Sequence, residues 1–167
     1  MKLYETNEIR NIALLGHIGS GKTTLSEAML VISGTKEKMG NTLNGTTSSD
    51  YHKEEKEKHF SIRLSPLTME YQGHKYNILD YPGYEDFKGD IYSSIDIIDG
   101  AVLVIDGSSG IELGTINSWK LLEDNNIPRI IFINKMNKGF INYKKLLEEL
   151  QEKFGKKFAQ LSIPIVY

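Results

Sequence analysis

The sequence predicts an α/β domain built on a mostly parallel sheet with helices on both faces. Short apolar runs alternate with amphipathic stretches: Asn11 to Leu15, Lys75 to Leu79, Ala101 to Ile105 and Arg129 to Ile133 each read as a strand. The 167 residues are 40% hydrophobic and 25% charged, which supplies apolar material for one domain with a sizeable core.

Taken in order, the first apolar run extends over Ile9 to Leu15, and a helical pattern follows from Thr24 to Ser33. Gly34 to His59 is polar, rich in Gly, Thr and Ser at first and mixed in charge from Lys53 to Lys58. An insert of more than about 15 residues without regular structure in a compact domain is functional or disordered. Ile62 to Tyr71 reads as a strand joined to Lys75–Leu79 by a tight turn at Gln72-Gly73-His74. Pro66 inside it has no amide to donate, so this strand belongs at a sheet edge, paired antiparallel. The most regular helix is Asn142 to Phe154: Tyr143, Leu146, Leu147, Leu150 and Phe154 form one stripe, and Lys144, Lys145, Glu148, Glu149 and Glu152 face away. Tyr76, Trp119, Phe132 and Phe154 follow strand or helix periodicity and are expected in the core or covering it. The apolar end, Ile163 to Tyr167, has no closing helix, so the expectation is a truncated domain over residues 1–167.

A net charge of −2 and a pI near 6.1 exclude a broad basic field, so contact with RNA must be local. The absence of cysteine excludes a disulfide scaffold and thiolate metal sites, and agrees with a reducing compartment. Met1 to Glu5 has no secretory core, and no stretch approaches the ~20 apolar residues that span a bilayer. The expectation is a cytoplasmic chain with no membrane partner.

Residues 16–23, GHIGSGKT, match the phosphate-binding pattern G-x-x-x-x-G-K-[ST] between a strand and a helix. This context predicts a nucleoside triphosphate site. Gly16 and Gly21 allow the tight turns that aim the amides of His17, Ile18, Gly19 and Ser20 inward. Lys22 reaches the β and γ phosphates, the Thr23 hydroxyl reaches Mg²⁺, and the helix start at Thr24 adds its positive end. Asp80-Tyr81-Pro82-Gly83, after a strand, places an acid near magnesium and a glycine N–H near the γ phosphate. Asn134-Lys135-Met136-Asn137, at another strand end, resembles the N-K-x-D guanine reader, in which the last carboxylate accepts from two guanine N–H groups. Asp106-Gly107 reads as a turn, and His52, His59 and His74 lack metal-ligand spacing.

RNIALLGHIGSGKTTLSEAML, DYHKEEKEKHFSI, HKYNILDYPGYEDF, DGAVLVIDGSSGIELGT and IPRIIFINKMNK occur in this order. Together they resemble the G domain of translational GTPases of the elongation factor G type and the related ribosome-protection factors. GTTSSDY and DYPGYEDF are similar to the divergent elongation factor G-like paralogues. The resemblance implies a phosphate-loop GTPase G domain, GTP or GDP as ligand, Mg²⁺ as cofactor, and a monomer acting with the ribosome through a longer polypeptide. It also implies a first switch over about 34–62, with Ser61 as a magnesium ligand beside Thr23 and Asp80, and a second over about 80–90. Lys22, Gly83 and Tyr84 fall at the catalytic positions.

Three residues depart from the pattern. Tyr84 stands where the family has its catalytic histidine; a phenol orients water but does not become an imidazolium, so slow hydrolysis is expected without a compensating partner. Asn137 replaces the acceptor-only carboxylate with an amide, which weakens guanine binding and favours a base with a carbonyl at that edge, such as xanthine. Gly19 replaces an acidic residue of the phosphate loop. The alternative function is therefore a nucleotide-dependent binding switch with little hydrolysis. An ATP-dependent kinase would need an acceptor-site base and an arginine-rich lid, and neither is visible.

Overall fold

The computed structural model describes residues 2–49, 64–83, 89–139, 141–156 and 158–164. Five strands form one sheet in the order β2-β3-β1-β4-β5: β1 Ile9–Leu15, β2 Ser65–Tyr71, β3 His74–Asp80, β4 Gly100–Asp106 and β5 Arg129–Asn134. All pairings are parallel except β2 with β3, which run antiparallel from Ser65 against Asp80 to Tyr71 against His74. Pro66 is exposed on the edge strand β2, where its missing donor faces no neighbour. The turn into β3 needs only Gln72 and Gly73, both at positive φ, and His74 already belongs to the strand.

Among the described residues four α-helices accompany the sheet: α1 Lys22–Ile32, α2 Gly89–Ser94, α3 Leu113–Asp124 and α4 Tyr143–Phe154. Alternation along β1 sends Leu14 to one face and Ala13 and Leu15 to the other. Leu14 packs with Ile78, Leu67, Met69 and Leu30 of α1. Ala13 and Leu15 join Leu103, Ile105, Leu122 of α3, and Leu146 and Leu150 of α4. The α4 stripe is as the sequence predicts, and Asn142 caps the helix by accepting from the Lys145 amide at 3.1 Å. Trp119 stacks on Phe154 with ring centroids 4.4 Å apart, whereas Phe132, expected in the core or covering it, is 40% exposed on β5.

The strand order turns back at β1, which has β3 on one side and β4 on the other. In open α/β sheets the crevice outside the carboxyl ends of the strands at such a switch point is where ligands bind. The loops after β1, β3, β4 and β5 all leave from that edge.

Candidate nucleotide-binding site

Gly16 follows β1 at φ +140°, and a Cβ there would collide with the Val104 carbonyl of β4. Gly21, at φ +98°, is the residue before α1, and a Cβ there would collide with Asn134 Nδ2. The glycines of the motif are thus required by neighbouring strands as well as by the turn itself. Between them Lys22 is 6% exposed, and its ammonium donates to the Gly16 and His17 carbonyls at 3.2 and 2.9 Å. Burial lowers its pKa from 10.5 to about 8, against the opposing charge of Asp80.

Asp80 ends β3 fully buried. Its Oδ2 accepts from Thr23 Oγ1 at 2.9 Å and lies 3.5 Å from Ser26 Oγ. A hydroxyl and a carboxylate held together at the start of α1 are the hard oxygen donors that suit Mg²⁺. Gly83 presses against the phosphate loop: a Cβ on it would stand 2.7 Å from Ile18 Cα and 2.7 Å from Lys22 Nζ. Of the two residues between, Tyr81 is fully buried with its hydroxyl 2.6 Å from Ser94 Oγ, so only its backbone faces the site, and Pro82 is also buried.

The segment expected to read the base, Asn134 to Asn137, docks on the same loop. Asn134 Nδ2 donates to the Ser20 carbonyl at 2.9 Å, and Asn134 Oδ1 accepts from the Lys135 amide at 2.8 Å. The Lys135 ammonium bonds the Gly19 carbonyl and, at 2.6 Å, Asp106 Oδ2. Burial would raise the Asp106 pKa, but Lys135 and Ser108 overcome it and bring it from 3.8 to about 2. Met136 packs by its sulfur over Gly107, and Asn137 is exposed in the turn. Ser20 is buried and Thr24 exposed. Ser61 and Tyr84 lie outside the described residues, as do 50–62 and 84–88 of the two expected switches.

The part of the first expected switch that is described, 34–49, is not structureless. It carries a 3-10 turn at Thr42–Asn44 and is bound to α1 through Glu27. This carboxylate is 0% exposed and accepts from Lys36 Nζ at 2.6 Å, the Gly40 amide at 2.6 Å and the Ser48 amide at 2.5 Å. Sequence reasoning missed Glu27, although Thr23, Glu27 and Leu30 share one helical stripe and an acid in that row signals a buried partner. It also missed the Asp106 contact and the His17 ring. The ring's Nδ1 accepts from the Gly114 amide at 3.3 Å and its Nε2 lies 3.4 Å from Glu112, which ties the phosphate loop to the start of α3.

A phosphate loop after β1, a carboxylate that ends β3 beside the loop threonine, and an Asn-Lys pair from β5 joined to the same loop define a G domain of the GTPase type. The elongation factor Tu GTP binding domain family matches residues 7–167, and the chain belongs to that family. It is 36% identical over 164 residues to mitochondrial ribosome-releasing factor 2 of Culex quinquefasciatus, covering 98% of this chain and 22% of that protein. Elongation factor G of Petrotoga mobilis is also 36% identical over 164 residues, with 98% and 24% covered. A crystal structure from Thermus thermophilus superposes with a TM-score of 0.84 at 38% identity, over 89% of this chain and 22% of that one. The chain therefore spans less than a quarter of the length of these relatives. Among the described residues, no helix is long and apolar enough to cross a membrane.

Proposed function

We propose that this chain is the nucleotide-binding part of a translational GTPase of the elongation factor G type, which binds Mg·GTP, hydrolyses it and acts with the ribosome as a cytoplasmic monomer. The observation that carries the reading is the junction of base reader and phosphate loop, where Asn134 and Lys135 bond the carbonyls of Ser20 and Gly19. Bound there, a triphosphate would receive the loop amides and the Lys22 ammonium. Thr23 and Asp80 would hold Mg²⁺, which neutralises phosphate charge. The Gly83 backbone, already against Ile18, stands where a γ phosphate would be sensed.

Tyr84 in the histidine position favours a second reading, a GTP-dependent binding switch with little hydrolysis. Asn137 extends it towards xanthine nucleotides. Multiple-turnover GTP hydrolysis by the full-length protein, with and without ribosomes, separates the two. Ribosome-stimulated turnover that vanishes in Lys22→Ala supports the enzyme; a background rate in both conditions leaves the switch. Failure to bind any Mg·NTP removes both.

A further inference from the structure

We infer that Asp106 is the positioning residue of the base-reading loop: its carboxylate holds the Lys135 side chain across the nucleobase site and thereby sets the preference among purine nucleotides. The inference rests on the guanine-nucleotide reading above and adds a residue that the motif does not contain.

Asp106 is the last residue of β4 and sits in parallel register beside Asn134, the last residue of β5. The strand pairing therefore delivers the carboxylate to the root of the base-reading loop. Both of its oxygens are committed. Oδ2 accepts from Lys135 Nζ at 2.6 Å, and Oδ1 accepts from the Ser108 amide at 2.9 Å and the Ser108 hydroxyl at 2.5 Å. A carboxylate fixed from both sides cannot rotate away, and its side chain is only 10% exposed. The Lys135 ammonium is thus pinned at a defined point, where it also donates to the Gly19 carbonyl. Its aliphatic stem must span from β5 to the phosphate loop, as a wall for the flat face of a base.

The backbone of Lys135 has φ +58°, a left-handed conformation uncommon for a residue with a side chain. Such a conformation persists where its surroundings over-determine it. Here the Asn134 side chain holds the Lys135 amide and Asp106 holds its far end. Asn137 brings no carboxylate to this loop. Among the described residues Asp106 is the only acid bonded to residues 134–137, so the loop's charge balance rests on it.

Asp106 also closes a turn, its carbonyl accepting from the Ser109 and Gly110 amides at 3.2 and 2.9 Å. The test must separate that role from positioning. Asp106→Asn keeps the volume and the Oδ1 acceptor but loses the charge on Lys135. On the full-length protein with Mg²⁺, GDP, ADP and inorganic tripolyphosphate are titrated against wild type and Asp106→Asn. GDP affinity should fall by about tenfold or more, the loss typical of a charged hydrogen-bond partner, while tripolyphosphate affinity changes by less than about twofold. In a Lys135→Met background, Asp106→Asn should have no further effect on GDP. Equal GDP affinity in wild type and Asp106→Asn overturns the inference. So does a parallel loss of GDP and tripolyphosphate, which would mark a collapsed turn. Should Asp106→Asn fail to fold, Ser108→Ala must lower the GDP-to-tripolyphosphate affinity ratio by a few-fold, and an unchanged ratio is decisive against it. A wild-type protein that does not prefer GDP to ADP refutes the underlying reading instead.

Discussion

Glu27 is the buried charge whose removal should be felt most. Glu27→Ala would strand the amides of Gly40 and Ser48 and leave the Lys36 ammonium with only Ser48 Oγ, at 3.0 Å, where all three now donate to the carboxylate within 2.6 Å. Breaking a buried pair by deleting one partner costs about 3–5 kcal/mol, and each stranded amide adds to that unless water reaches it. Glu27→Gln retains an acceptor but turns an NH₂ towards donors, so about 2 kcal/mol is expected. With an m-value of about 2 kcal/mol/M in urea, the alanine variant should unfold about 2 M earlier and the glutamine variant about 1 M earlier. Hydrogen exchange at Gly40 and Ser48 should accelerate in both. Desolvation would raise the Glu27 pKa, but the hydrogen bonds from Lys36, Ser48 and Gly40 outweigh it and the net shift is downward. A carboxylate depressed on folding contributes stability above its unfolded pKa and loses it as pH falls through the folded value. The wild-type advantage over Glu27→Gln should accordingly shrink on acidification below the ordinary carboxylate range. A midpoint shift under about 0.3 M for Glu27→Ala, with unchanged exchange at Gly40 and Ser48, refutes the reasoning.

Lys22 offers a proton-linkage test. Its pKa falls from 10.5 to about 8 on folding, so the unfolded chain binds the extra proton between those values and nucleotide-free stability should rise with pH across that window, by about 3 kcal/mol in all. A bound polyphosphate favours the ammonium, so calorimetry near pH 8 in buffers of different ionisation enthalpy should show proton uptake on binding that is absent near pH 6. Thr23→Ala and Asp80→Asn should each reduce by about tenfold the gain in GTP affinity between EDTA and Mg²⁺, read by fluorescent-nucleotide titration. Asn137→Asp should tighten GDP by about 1.5–3 kcal/mol, roughly tenfold or more in Kd, and lower the affinity for XDP.

The elements most legible in the sequence were those set by local rules. The α4 stripe shows because its polar positions, Lys144 to Glu152, alternate with Leu146 and Leu150 at helical period, and β2 is betrayed as an edge by Pro66 alone. The phosphate loop shows because its chemistry is concentrated in eight consecutive residues, Gly16 to Thr23. What stayed hidden depends on contacts across the chain. Asp106 and Lys135 are brought together by the β4–β5 register, and nothing in the string IDGSSG distinguishes that carboxylate from one that only closes a turn. Glu27 holds residues 36–48 through two backbone amides, groups that every residue possesses and no residue type announces. Phe132 obeys strand alternation, yet on β5, the last strand of the sheet, it stays 40% exposed, so periodicity alone overstates its burial.

These contacts bear on how selectivity for the base can arise. Asn134, the first residue of the reader, has its carbonyl oxygen engaged by the Lys135 amide and one amide hydrogen engaged by Ser20. Its side chain is therefore used chiefly to join the two loops, and contributes to the base through the shape it enforces. The Lys135 ammonium is engaged as well, by Gly19 and Asp106, which leaves its stem as the contact surface. Discrimination by hydrogen bonding would then fall on backbone groups and on position 137, and there the exposed residue is an amide that presents donor and acceptor in equal measure. Phosphate binding would draw instead on a whole row of loop amides, the Lys22 ammonium and a helix start. On the proposed reading, affinity and selectivity would thus be unequally supported: a polyphosphate would meet many groups acting together, while the choice of purine would depend on few, with Asp106 keeping one of them in place.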